Sequence, residues 1–118
     1  MKTVASMIAL AGLGLVVACG SSFQPPTDRL AASEAAIRSA RELGAEHHPQ
    51  AALHVKLADE QVATARTLMK DGENRRADLV LQRAKSDAEL AVMLTREQAA
   101  KTSAEQAKKN LEDHKAGK

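Results

Sequence analysis

Apolar residues recur at helical spacing along most of the chain, and no stretch alternates with the two-residue period of a strand. The first segment is predicted to be a helix over residues 28–43, where Leu30, Ser33, Ile37 and Ala40 fall on one stripe. Thr27 or Asp28 can cap its start, and Gly44 is a natural stop. Ala45, Glu46, His47 and His48 form a short break, and Pro49 suits the first position of the next helix. That second helix is predicted over residues 49–70. Its stripe of Ala51, Val55, Ala58, Val62, Ala65 and Met69 alternates steps of four and three, and Leu57 and Leu68 widen the face. Asp71, Gly72, Glu73 and Asn74 separate it from a third helix, with Gly72 as the stop and Asn74 as the cap.

The third helix is predicted from residue 75 to about 114, because no Pro or Gly interrupts that span. Its first half carries Ala77, Leu81, Ala84, Ala88 and Ala91. Its second half carries the thinner stripe Met93, Ala100, Ala104, Ala107 and Leu111. Glu97, Lys101, Glu105, Lys109 and Asp113 follow one another at steps of four with alternating sign. Each such neighbouring pair adds roughly 0.2–0.5 kcal/mol to an isolated helix, so this half is expected to persist as a solvated helix. At ~1.5 Å per residue the whole helix reaches about 60 Å.

The stripes are mostly alanine. Alanine lets helices approach closely but buries little area, and at ~25 cal/mol per Å² the core is thin. The expected fold is therefore all-α: an elongated helical hairpin or three-helix bundle of marginal stability, with a long C-terminal helix. The division expected along the chain is a leader over residues 1–18, a linker over 19–27, an alanine-rich helical domain over 28–114 and a frayed tail over 115–118.

The leader follows from the first residues. Lys2 makes a short basic start, and residues 4–17 are apolar apart from Ser6 and small glycines. A run of ~14 residues fits a signal segment and is short for a spanning helix. It ends in Val16, Val17, Ala18 and Cys19, which resembles the lipobox of bacterial lipoproteins, with Val16 where leucine is usual. The resemblance implies cleavage between Ala18 and Cys19 and a diacylglyceryl thioether on Cys19. Two or more acyl chains anchor a protein stably to a membrane. Gly20, which follows Cys19, is not the aspartate that retains enterobacterial lipoproteins at the inner membrane, so in a Gram-negative host the same resemblance implies the periplasmic face of the outer membrane. The following Gly-Ser-Ser-Phe-Gln-Pro-Pro stretch reads as a linker, in which Pro25 and Pro26 favour extended backbone.

Composition narrows the chemistry further. Cys19 is the single cysteine, so the helical domain is expected to hold no disulfide and no thiolate metal site. The formal net charge is +2, and nothing in its distribution predicts nucleic-acid binding. There is no Trp, no Tyr and one Phe, Phe23. Aromatic residues dominate pockets and binding hot spots, so a ligand cleft is not expected. The carboxylates lie beside Lys or Arg and read as surface charge rather than as a general acid and base. Enzymatic activity is not expected, and no cofactor beyond the lipid on Cys19 is expected. His47, His48 and His54 cluster near the first turn. They are the candidate set for a small metal-binding module, although solvated turn histidines are the simpler reading. Arg75 with Arg76, and Lys108 with Lys109, are small basic patches that read as solvated faces.

Two family resemblances add to this. Ala36 and Ile37, Ala40 and Arg41, Gly44-Ala45-Glu46, Pro49, Ala58, Gly72, Ala77, Ala84, and Asp87-Ala88-Glu89-Leu90-Ala91 resemble the bacterial lipoprotein family called domain of unknown function 4398, over about residues 32–91. That resemblance implies an envelope location and an Ala-rich helical fold. It implies no activity. Lys118, behind a long alanine-striped helix and a lipidated Cys, is similar in outline to the murein (Braun-type) lipoprotein, whose terminal lysine is linked to peptidoglycan. The stripe here is interrupted at Gly44, Pro49 and Gly72, and Ala116 and Gly117 replace the usual aromatic-Arg. The expected function is thus a structural or protein-interaction role for an envelope lipoprotein. It would be held to the membrane by its lipid and pair with an envelope protein or with itself. A cell-wall tether through Lys118 is the alternative.

Overall fold

The computed structural model describes residues 23–117. The leader, the lipobox residues Ala18 and Cys19, and Lys118 lie outside the described residues. Among the described residues the chain forms α1 (Thr27–Glu42), a short 3-10 turn (Ala45–His47), α2 (Pro49–Lys70) and α3 (Asn74–Ala116), with no strand. The chain is therefore an all-α three-helix bundle with a long C-terminal helix.

The helices run up, down and up. Arg29 of α1 pairs with Asp78 near the start of α3, and Ser33 meets Leu81, so α1 and α3 run parallel. Glu34 pairs with Arg66 and Arg41 with Asp59, so α2 runs antiparallel to α1. The most extensive contact is between α2 and α3.

The core is the alanine seam that the spacing predicted. Ile37 and Ala40 of α1, Ala51, Val55, Ala58, Val62 and Ala65 of α2, and Ala77, Leu81, Ala84, Ala88 and Ala91 of α3 are all buried. Alternating steps of three and four keep a seam facing its neighbour along a gently supercoiled helix pair. Leu81 is the largest fully buried side chain. Ser33 is fully buried beside it, its hydroxyl shared between Arg29 O (2.8 Å) and Leu81 O (3.0 Å). A small side chain with its proton satisfied lets α1 sit close on α3.

The ends of α2 and α1 depart from the simple pattern in informative ways. Glu73 N–H donates to Leu68 O (2.8 Å) and Gly72 N–H to Met69 O (3.2 Å), with Gly72 at φ +77°. These are the two bonds of a Schellman closure. The last buried residue of α2 is Leu68, and Met69 is only half-buried. Gly44, at φ +83°, closes α1 in the same hand. Asn74 is not the cap of α3. It is the first helical residue, and its side-chain amide donates to Phe23 O (2.9 Å). Thr27 is likewise the first residue of α1 rather than its cap. In neither helix does a side chain at the N-cap bond the free N–H groups of the first turn. Lys115 and Ala116, expected in a frayed tail, are helical.

The bundle ends at Thr95, buried opposite the 3-10 turn and bonded through its hydroxyl to Ala91 O (2.8 Å). Past that point the positions that would continue the core face are Thr102, Gln106, Lys109 and Asp113, which cannot be buried cheaply. Every described residue from 96 onward is exposed. This distal segment, residues 96–116, extends about 30 Å beyond the bundle at ~1.5 Å per residue. It needs no new nucleation because it continues a helix already fixed in the bundle. No helix among the described residues is long and apolar enough to cross a membrane.

Candidate functional site

Three places carry polar or exposed groups that packing alone does not require. The first is a cluster on the flank of the α2–α3 seam. Asp87 of α3 takes a bond from Gln61 Nε2 (2.8 Å) on one oxygen and faces His54 Nδ1 (2.8 Å) on the other. His54 and Asp87 are each about three-quarters covered, and Gln61 Oε1 is buried without a partner. All three residues immediately precede core positions: Val55, Val62 and Ala88. Their side chains therefore meet at the edge of the seam, where a helix pair carries its polar flank. Asp87 bonds two residues of α2 that lie about two turns apart, His54 and Gln61, which fixes the register of the hairpin. The nearest hydroxyl along α3, Ser86, donates into its own helix at Gln82 O (3.1 Å).

This cluster corrects the reading of the histidines as solvated turn residues. His47 is exposed in the 3-10 turn and His48 precedes α2, but His54 lies within α2 and faces Asp87. Among the described residues no three His, Cys, Asp or Glu side chains are grouped as metal ligands. Asp87 was also not legible as anything but surface charge. The signal that could have found it is its place next to a seam residue, opposite a histidine and a glutamine in the same place on α2.

The second place is the lower end of the bundle. The bond from Asn74 to Phe23 O ties the segment before α1 to the start of α3. Phe23 is thereby held at the end of the bundle opposite the distal half of α3. The basic pair there is not a free patch, since Arg76 is bound to Glu73.

The third place is the distal half of α3. Of its alternating charge series, Glu97 and Lys101 close at 2.6 Å, while the later steps stay open. The hydrogen bond from Lys101, and then its charge, hold the Glu97 carboxyl below its ordinary value. The same bond and charge raise Lys101 above its ordinary value. Both groups are fully exposed, so the pair steadies the helix rather than a core.

Residues 28–107 match the family model of a domain of unknown function, DUF4398. The chain belongs to that family. No curated protein and no solved structure matches it. The DUF4398 match is wider than the span of about 32–91 that carries the resemblance in the sequence. It begins at the second residue of α1 and runs past Thr95 to Ala107. The family pattern thus includes the bundle and more than half of the exposed distal segment.

Proposed function

We propose that this DUF4398 chain is a lipid-anchored envelope lipoprotein whose third helix is an interaction element, carried on the periplasmic face of the outer membrane. The lipobox-like Val16-Val17-Ala18-Cys19 supports the anchor. One observation carries the rest: the Asn74–Phe23 bond holds Phe23 at one end of the bundle, and the half of α3 that is exposed among the described residues leaves from the other. Eight residues between the anchor and α1 would reach at most on the order of 25 Å at ~3.1 Å each. The bundle can therefore clear the headgroups while α3 meets an envelope protein or a second copy. A Cys19→Ala variant tests the anchor. The native chain is expected in the membrane fraction with a lipid-modified N-terminal peptide, and the variant is expected to lose both. A variant that fractionates with membranes in native proportion would overturn the anchor.

The second reading, a tether to peptidoglycan through Lys118, is favoured by the direction of α3, which runs away from Phe23 towards residue 118. Peptidoglycan digests that yield no Lys118-containing peptide would remove it.

A further inference from the structure

We propose that α3 pairs with α3 of a second copy, antiparallel, along the face it turns away from α1 and α2. This rests on the reading of α3 as an interaction element, but not on the lipid anchor. Four large apolar side chains stand exposed on α3: Met93 (67%), Leu111 (56%), Leu79 (55%) and Leu90 (38%). Successive residues turn by about 100° around a helix, which places all four on the side away from the core seam. Ala100, Ala104 and Ala107 lie between Met93 and Leu111 on the same side. With Arg83, Ser86 and Glu97 in the intervening places, these positions form an unbroken seven-residue repeat from Leu79 to Leu111. It runs through both the bundle half and the free half of the helix. A mainly apolar face of that length, left exposed among the described residues, is the pattern of a helix seam awaiting a partner.

The charges choose the partner's direction. In a parallel pair Arg83 would lie on Arg83, Glu97 on Glu97, and Arg96 beside Lys101, all like-charged. In an antiparallel pair centred on residue 95, Leu79 meets Leu111 of the other copy, Leu90 meets Ala100, and Ser86 meets Ala104. Arg83 then meets Ala107 and Glu97 meets Met93, so neither like-charged seam contact is made; Glu97 lies next to Arg96, and Arg96 meets its own copy only at the solvated edge of the seam. Charges flanking a seam set orientation in this way. The contact is self-complementary, as a two-fold interface must be. Full overlap of the two helices, about 64 Å each at ~1.5 Å per residue, lays the free half of each copy along the bundle half of the other. The core seam with α1 and α2 lies on the opposite side of each α3, and Leu79 and Leu90, the residues of this face nearest α2, remain exposed beside it. The two linkers leave from opposite ends of the pair, so both anchors reach a single membrane when the pair lies along its surface.

Position-specific crosslinking tests this on the full chain in detergent micelles, with Cys19→Ala removing the native thiol and Ser86→Cys and Ala104→Cys added. Within one helix these positions are about 27 Å apart at ~1.5 Å per residue, far beyond the ~7 Å limit of a disulfide. The expected product on oxidation is a dimer in which peptide analysis finds residue 86 joined to residue 104. Dimers joined 86 to 86 and 104 to 104 would overturn the orientation, and a chain that stays uncrosslinked would overturn the pairing. Adding Leu90→Asp and Met93→Asp, both at exposed positions, is expected to keep the helical signal and reduce the crosslink at least tenfold. An undiminished crosslink would also overturn the proposal. Because Cys19 is replaced throughout, these outcomes stand apart from membrane fractionation.

Discussion

Replacing Leu81 by Ala should remove more stability than any other single truncation in the bundle. Leu81 is fully buried in α3 at the level where Ser33 of α1 bonds its carbonyl. Its seam neighbours on α3 are Ala77, Ala84 and Ala88. Buried Leu→Ala changes cost about 2.7–5 kcal/mol, and the cost rises with the cavity that remains. Alanine has no side-chain torsion with which to move into a hole, so little of this cavity can close, and we expect about 3–4 kcal/mol. A domain of this size holds on the order of 5–10 kcal/mol in total, so the variant should keep roughly half. The melting midpoint should fall by roughly 15–25 °C, at ~4–8 °C per kcal/mol. With no Trp or Tyr in the chain, the assay is urea and thermal unfolding followed by far-ultraviolet circular dichroism. Leu53→Ala is the control, because Leu53 is exposed on α2, and a surface change of this kind stays within about 0.5 kcal/mol. A Leu81→Ala loss below about 1 kcal/mol, or one equal to that of Leu53→Ala, would refute an alanine core organised around this leucine.

Two further outcomes follow from the polar groups. Asp87→Ala should cost about 1–3 kcal/mol, because it leaves Gln61 Nε2 partly buried without an acceptor and His54 without its partner; an unfolding midpoint unchanged from the native chain would count against a register lock. The distal half of α3 should be most helical between the two titrations of the Glu97–Lys101 pair. Since Glu97 is depressed in the folded helix, its contribution is present above the ordinary carboxylate value and lost as pH falls through the lowered one. Since Lys101 is raised, its contribution is lost as pH rises through the elevated value. Helical signal from this segment, read as the Cα chemical shifts of Ala100 and Ala104, that does not fall at either pH extreme would show that the pair does not hold it.

Most of the bundle was legible because its seam is periodic and its turns are punctuated by Gly44, Pro49 and Gly72. Ser33 could be placed on the core stripe despite its polarity, because spacing outranks residue type when the hydroxyl can bond a carbonyl nearby. The switch from Met69 to Leu68 was not legible, because it arises where the Schellman closure ends the helix and not from the repeat. Asn74 looked like a cap because capping residues and residues that hold a neighbouring segment share the same short polar side chain. The His54–Asp87–Gln61 cluster joins residues far apart in the chain, so no local motif announces it. Only a paired register of α2 and α3, with the place before each seam residue read across the hairpin, would have brought them together.

The two halves of α3 are distinguished by what lies on the core-facing side, not by helix propensity, and this bears on what the distal half is for. Up to Thr95 that side is alanine and leucine. Beyond it Thr102, Gln106, Lys109 and Asp113 exclude any extension of the same bundle. The apolar positions of the distal half instead fall in register with Leu79, Leu90 and Met93, which already stand exposed on the outside of the bundle half. A helix that merely overran its bundle would have no reason to keep that register for ten positions across the boundary. The family pattern also continues to Ala107, well into the segment that is exposed throughout among the described residues. The outer face of α3 is therefore best understood as one continuous surface, with the bundle serving to fix its first half in place.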